Sequence, residues 1–260
     1  MRVCVLGHTG MLGHKVAWHL GRIGHEVVRV QTRFEAASTK AFLNEIHASQ
    51  PDWCVNCIGT RPGPGTSSKQ LFEINSELPE ALVHSLPPEV GLVQASTDGV
   101  FRPECANRLA DETPDATDEY GLSKIRAEKA VLEAKRHVIR CSIIGQELRT
   151  HRSLLSWFLA QRCEVTGYTN HLWNGITTLE WAKVSAQVIA QTLPAVIRVV
   201  QPGIMPPISK YDLLRQIAET WGHTILIRPA EASNPVLRSL VPNVAMRPLN
   251  LQLAELHQRA

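Results

Sequence analysis

Val3-Cys-Val-Leu-Gly7-His-Thr-Gly10-Met-Leu-Gly13 decides the fold. An apolar run of strand length meets glycines at GxxGxxG spacing, and a helical pattern follows. Leu12, Val16, Leu20 and Ile23 recur at helical spacing, which predicts a strand over 2–6 and a helix over 11–23. Glycine turns the chain tightly and lets backbone N–H groups approach a pyrophosphate, whose charge a helix N-terminus then favours. Gly7, His8, Thr9, Gly10, Met11, Leu12 and Gly13 are therefore the candidate cofactor-phosphate loop.

The alternation continues outward. Gly24 is placed to end the first helix, and 26–31 reads as a second strand. Ser38 is placed to cap a helix running to 50, and Pro51-Asp52 turns into a strand over 53–58. A helix over 71–86 stops at Pro87-Pro88, followed by a buried strand over 91–95, a helix over 119–136 and a strand over 137–142. Repeated units of this length predict an α/β protein: a Rossmann-type, doubly wound parallel sheet with helices on both faces. Beyond Gly145 the pattern loosens to helices over 154–162, 179–193 and 210–221 and short strands over 196–200 and 224–227. The expected organisation is an NAD(P)-binding domain over 1–145, rejoined by 176–200, and a small substrate-binding lobe from 146–175 and 201–260. Proline-rich 61–65, 202–207 and 228–248 read as loops around a site or lobe, and there is no internal repeat.

At 260 residues, 44% hydrophobic, the chain is long enough for a full core. A net charge of +3 without a Lys/Arg run gives nucleic-acid binding no support, and no apolar stretch is long enough to span a membrane. Met1-Arg2 leads straight into a strand, unlike a secretory leader, so a cytoplasmic location is expected. Cys54 and Cys57 form a CxxC, but three residues apart on a strand they face opposite sides of the sheet, and the six cysteines read as reduced fillers. His14 and His19 are five apart and share no helix face, so no metal site is expected.

Tyr120-Gly-Leu-Ser-Lys124 places a phenol and an ammonium one turn apart on one helix face. A free tyrosine ionises near ~10, and a nearby cation is expected to bring that value towards neutrality, making the pair a candidate proton-transfer group. With the glycine loop it suggests a nicotinamide-dependent reductase. At the end of the second strand, where NAD-specific sites usually carry an acid for the ribose 2′-OH, stand Gln31, Thr32 and Arg33. The missing carboxylate and the guanidinium of Arg33 favour NADP, with NAD as the alternative because Glu35 is close by.

The chain resembles the extended short-chain dehydrogenase/reductases, in the dTDP-4-dehydrorhamnose reductase-like branch that acts on nucleotide sugars. The resemblance rests on the glycine loop, Pro51-Asp-Trp-Cys-Val-Asn-Cys-Ile-Gly59, Asn75 before Leu78-Pro79, Ser96-Thr-Asp-Gly-Val-Phe101, Asp115-Ala-Thr-Asp-Glu-Tyr-Gly-Leu-Ser-Lys124, Arg140-Cys-Ser-Ile-Ile-Gly145 and Gly167-Tyr-Thr-Asn-His-Leu-Trp-Asn-Gly-Ile-Thr-Thr178. It implies that Thr97 polarises the substrate carbonyl and Tyr120 donates the proton. It also implies that Lys124 holds the nicotinamide ribose and tunes the tyrosine, Cys57, Ile58 and Gly59 line the adenosine side, and Asn75 braces the neighbouring strand. Asp98, Gly99 and Val100 are expected at the substrate, together with Trp157, Asn170, Asn174 and Arg238; the amides would meet sugar hydroxyls or a base, and Arg238 a diphosphate. Trp157 and Trp173 offer flat apolar faces for a ring, or pack the lobe onto the main domain.

Two stretches depart from the branch. Arg102-Pro-Glu-Cys-Ala-Asn-Arg-Leu-Ala-Asp111 replaces a glycine-rich turn, and Thr60-Arg-Pro-Gly-Pro-Gly-Thr66 is distinctive; both are expected near the substrate. The leading expectation is an NADP-dependent reductase of a 4-keto nucleotide sugar, serving surface-polysaccharide synthesis. An epimerase on a similar sugar and a non-catalytic NADP-binding regulatory subunit are the alternatives. The expected partner is the nucleotide sugar, with a homodimer as the assembly to test.

Overall fold

Successive residues of the first strand point to opposite sides of the sheet, and both sides are apolar, so the sheet must be covered on both faces. The computed structural model describes residues 1–149, 152–194 and 196–259. The chain runs through β1 (Arg2–Leu6), α1 (Gly13–Arg22), β2 (Glu26–Arg29), α2 (Thr39–Ala48), β3 (Trp53–Asn56), α3 (Ser68–Phe72), α4 (Leu78–Ser85) and β4 (Gly91–Ser96). It continues through α5 (Glu119–Glu133), β5 (His137–Arg140), β6 (Ile143–Ile144), α6 (Leu154–Ala160), β7 (Val165–Tyr168), β8 (Leu172–Trp173) and β9 (Ile176–Thr177). The remaining elements are α7 (Thr178–Ile189), β10 (Val199–Val200), β11 (Ile208–Ser209), α8 (Lys210–Trp221), β12 (Ile227–Ala230) and α9 (Leu249–Gln258).

Six strands form one all-parallel sheet in the order β10-β5-β4-β3-β1-β2. Val3 and Val5 face a core closed by Val16 and Leu20 of α1 and Trp181, Val184 and Val188 of α7. Cys4 and Leu6 face the other, closed by Phe42 and Ile46 of α2, Leu78 and Leu82 of α4 and Val131 of α5. The chain leaves β1 in one direction to β2 and in the other to β3, which puts the topological switch point, where such folds bind ligands, between β1 and β3. Residues beyond β6 add three two-stranded pairs, β6 with β9, β7 with β12 and β8 with β11. A third core of Leu155, Phe158, Trp173, Leu213, Ile217 and Leu253 joins α6, α8 and α9.

Several sequence expectations shift. The helix expected over 71–86 begins earlier, at Ser68, under a capping box of Ser67 and Gln70, and passes through a π-helical turn over Glu73–Glu77 before α4. Ser38 stands at the start of α2 but makes no capping bond. The strand expected over 224–227 lies at Ile227–Ala230, because its pairing with β7 fixes its register. α9 was outside the expected elements, although Leu249, Leu253 and Leu256 carry helical spacing into the third core. All six cysteines are free thiols, with Cys54 in one core and Cys57 packed against the other.

Candidate active site

The glycine loop leaves β1 at the switch point. Gly7 sits at φ +75°, and a Cβ there would approach the Ile58 side chain to 2.9 Å; a Cβ on Gly13 would overlap the Gly7 carbonyl. The Gly10 N–H donates to the Gly7 carbonyl at 2.9 Å, closing the turn. α1 opens with no side-chain cap and no acidic residue in its first turn, so no side-chain carboxylate offsets its positive end, although the His14 and Lys15 N–H groups donate to the Gly10 and Leu12 carbonyls at 3.2 and 3.1 Å. These features fit the pyrophosphate of a dinucleotide. His8 and Met11 are half-buried and Thr9 is exposed, whereas the Leu12 side chain is in the core, which corrects its expected role: only its backbone is available. Ile58 packs on Gly7 and Gly59 is exposed beside Lys124. Burial pushes the Cys57 thiol far up, so it lines the strand end as a neutral apolar group.

Thr97 follows β4, and its Oγ1 accepts the Gly99 N–H at 3.0 Å, starting a single helical turn. That turn brings Gly99 under Tyr120 so closely that a Cβ would meet the ring at 3.1 Å. Tyr120 stands in the first turn of α5, whose N-cap Asp118 accepts the Gly121 N–H at 2.9 Å. The expectation that Lys124 lowers the phenol is corrected. Desolvation pushes Tyr120 above its usual value; the Thr97 hydroxyl pulls it back, Asp98 raises it, and Arg61 and Arg238 lower it. Lys124 is buried on the same face with its Nζ beneath Gly59. Desolvation brings it down to about 8, against the upward pull of Glu128.

A shell that spacing did not reveal holds this helix in place. Asn75, in the π-helical turn, accepts the Thr60 N–H at 2.9 Å and donates to the Thr60 carbonyl at 2.9 Å and to Ser123 Oγ at 3.1 Å. Ser76 donates to the Ser123 carbonyl at 2.8 Å, and Ser123 Oγ to the Tyr120 carbonyl at 2.7 Å. Glu128, one turn beyond Lys124, accepts from the partly buried Ser96 Oγ at 2.6 Å and from the buried Arg140 Nε and Nη2 at 3.0 and 2.6 Å. Continuing the four-residue step from 120 and 124 would have found Glu128; Arg140 comes from β5, and no spacing links it to this helix.

Among the residues expected at the substrate, Arg238 reaches the turn after Thr97: its Nη1 donates to the Phe101 carbonyl at 2.9 Å and its Nε lies 3.5 Å from Asp98 Oδ2. Lys210, at the start of α8, adds a third charge; burial lowers it to about 8, Asp98 raises it and Arg238 lowers it. Arg61 ties the distinctive loop to the carbonyl of Arg152 at 3.1 Å. Three expected ligand contacts, those of Asn170, Asn174 and Val100, are corrected, and Trp173 takes its packing alternative. Asn170 grips the backbone of Ala232 through both ends of its amide, at 2.7 and 2.9 Å, and Asn174 that of Leu240, at 2.7 and 3.2 Å. These amides therefore hold the 231–241 segment rather than presenting to a ligand. Trp173 is core, with its Nε1 donating to Ser142 Oγ at 3.0 Å, and Val100 is buried against Phe101 and Leu240. Trp157 is 38% exposed on α6, and Arg33 is exposed beyond β2.

The fold recurs in solved structures. A dTDP-4-dehydrorhamnose reductase from Clostridium acetobutylicum is 18% identical with a TM-score of 0.82, over 100% of this chain and 99% of that one. The Bacillus anthracis dTDP-4-dehydrorhamnose reductase in complex with NADP is 15% identical with a TM-score of 0.82, over 99% of each chain. The dTDP-glucose 4,6-dehydratase of Bacillus anthracis in complex with NAD is 14% identical with a TM-score of 0.73, over 100% of this chain and 97% of that one. A search of curated protein sequences finds no match. The family model for the RmlD substrate binding domain matches residues 1–259, and the chain belongs to that family.

Proposed function

We propose that this chain is an NADP-dependent oxidoreductase, with NAD as the alternative cofactor, that reduces a 4-keto nucleotide-diphosphate sugar in cytoplasmic surface-polysaccharide synthesis. The observation that carries the reading is the meeting of Thr97 and Tyr120 at Gly99, with Lys124 one turn along α5 beside Gly59, at the carboxyl ends of β4 and β3. When bound, the nicotinamide supplies hydride to the keto carbon. The Thr97 hydroxyl orients and polarises the carbonyl oxygen. Tyr120 arrives with its proton, because burial holds the phenol above its usual value, and delivers it to that oxygen. Lys124 holds the nicotinamide ribose, and the Thr97 hydroxyl with Arg61 and Arg238 stabilises the phenolate left behind. Arg238 and Lys210 offer positive charge to a diphosphate, and Asp98 accepts a sugar hydroxyl. Residues 1–145 and 176–200 are assigned to the cofactor half, since β10 and α7 join the central sheet, and the remainder to the substrate half.

Epimerisation of a similar sugar is the second reading, favoured by Lys210, which near 8 exchanges protons readily at neutral pH. Following NADPH absorbance with a panel of 4-keto nucleotide sugars tests the first. Substrate-dependent oxidation is expected; NADPH binding with no oxidation across the panel would refute the reductase assignment. Isotope exchange into the sugar without net oxidation is the epimerase outcome.

A further inference from the structure

The proposed reaction leaves a charged cluster at the end of β2 without a role. Glu45, on α2, folds its side chain back over the strand end. Its Oε1 accepts the Gln31 N–H at 2.8 Å and its Oε2 the Thr32 N–H at 2.9 Å. These bonds, that of Gln31 foremost, hold the Glu45 carboxyl below the usual carboxylate range, with His8 of the glycine loop adding a smaller pull. His8 in turn feels both Arg29 and Glu45, so the carboxylate lies within electrostatic reach of the phosphate loop.

Here the chain passes from β2 towards α2 beside the switch point, and in a dinucleotide fold this segment meets the adenosine ribose. The sequence shows no acid at the strand end, which leaves Arg33 to favour a 2′-phosphate. In three dimensions the acid is present, supplied by the next helix. A carboxylate only accepts hydrogen bonds and has about four lone-pair positions. Two are used on Gln31 and Thr32, so others remain for a ribose 2′-hydroxyl. A 2′-phosphate meets a fixed negative charge and two N–H donors already taken.

We infer that Glu45 is the specificity-determining residue for the dinucleotide: it opposes Arg33, favours the 2′-hydroxyl and sets the NADP-to-NAD ratio. The inference rests on the proposed dinucleotide reading. NADPH and NADH are titrated by fluorescence at one fixed ionic strength into wild type, Glu45→Gln and Glu45→Ala. Gln keeps an acceptor for the Gln31 N–H and Ala keeps none, so the pair separates charge from loop support. Both variants should raise the NADPH-to-NADH affinity ratio about tenfold or more, the scale of a removed like-charge contact. A wild-type ratio in both, or equal losses for both cofactors, would show that Glu45 only clamps the loop and would overturn the inference. A wild type that binds neither dinucleotide overturns the cofactor reading itself.

Discussion

Lys124→Met should make the empty protein more stable while stripping it of function. Lys124 is 6% exposed, and desolvation lowers its ammonium from 10.5 to about 8. The unfolded chain therefore binds that proton more tightly than the folded one, and folding below pH 8 carries a cost of roughly 3 kcal/mol, at ~1.36 kcal/mol per pKa unit. The sign follows directly: the penalty is full below about pH 8 and fades as pH rises from there to 10.5. Methionine keeps the unbranched stem and removes the charge. Glu128 is not orphaned by the change, since Ser96 and both Arg140 nitrogens still donate to it.

A gain of ~2–3 kcal/mol at pH 7 corresponds to a rise of roughly 5–10 °C in Tm for a chain of this size. Thermal melts of wild type and Lys124→Met at pH 7 and pH 9.5, without cofactor, measure it. The gap should be wide at pH 7 and reduced to about half or less at pH 9.5, while NADPH titration shows weakened binding in the variant. A variant less stable than wild type at pH 7, or a gap that ignores pH, would refute the reasoning. Either result would mean that the buried ammonium is not a stored cost held for a ligand.

Tyr120→Phe should keep cofactor affinity and lose ~10²–10⁴-fold in turnover, since the ring stays and the proton donor goes; unchanged turnover in a stopped assay would remove the catalytic assignment. Glu128→Gln leaves Arg140 buried without its counter-charge and should cost ~3–5 kcal/mol in denaturant unfolding, against no change if the pair were solvated. The same variant removes the upward pull on Lys124, so the alkaline limb of kcat/KM should move to lower pH. Gly13→Ala drives a methyl onto the Gly7 carbonyl and should abolish binding of both dinucleotides in titration; retained binding would mean that the loop does not cradle phosphate.

Local patterns were enough for the inner strands because β1, β3 and β4 are short, largely buried apolar runs, each leading on to a helix that packs on the sheet. Val3 with Val5 and Cys4 with Leu6 carry that double burial within five residues. The second half was harder to read for a physical reason. Its pairs are two to four residues long, and their register comes from contacts across the lobe: β7 is defined by β12, more than sixty residues later. Asn170 and Asn174 looked like ligand amides because polar side chains on a loop invite that reading. Their partners, Ala232 and Leu240, stand where no local pattern connects them.

The candidate site divides along the same line. Tyr120, Lys124 and Glu128 repeat every four residues, so one face of α5 carries the phenol, the ammonium and the carboxylate that raises the ammonium. Everything that fixes that face in space arrives from elsewhere: Asn75 and Ser76 from the π-helical turn, Ser96 from β4, Arg140 from β5. Those partners lie at separations of 12 to 48 residues, and each bond is buried or nearly so. In a low-dielectric setting such polar groups stay only if satisfied. Deleting any of them should therefore disturb the angle of α5 before it disturbs the chemistry. The end of β2 follows the same logic with the opposite lesson. Reading along the strand finds no acid, yet helix α2 returns one to it in space. Whether a carboxylate faces the cofactor ribose is thus a property of the β2–α2 packing, not of the strand's last residue.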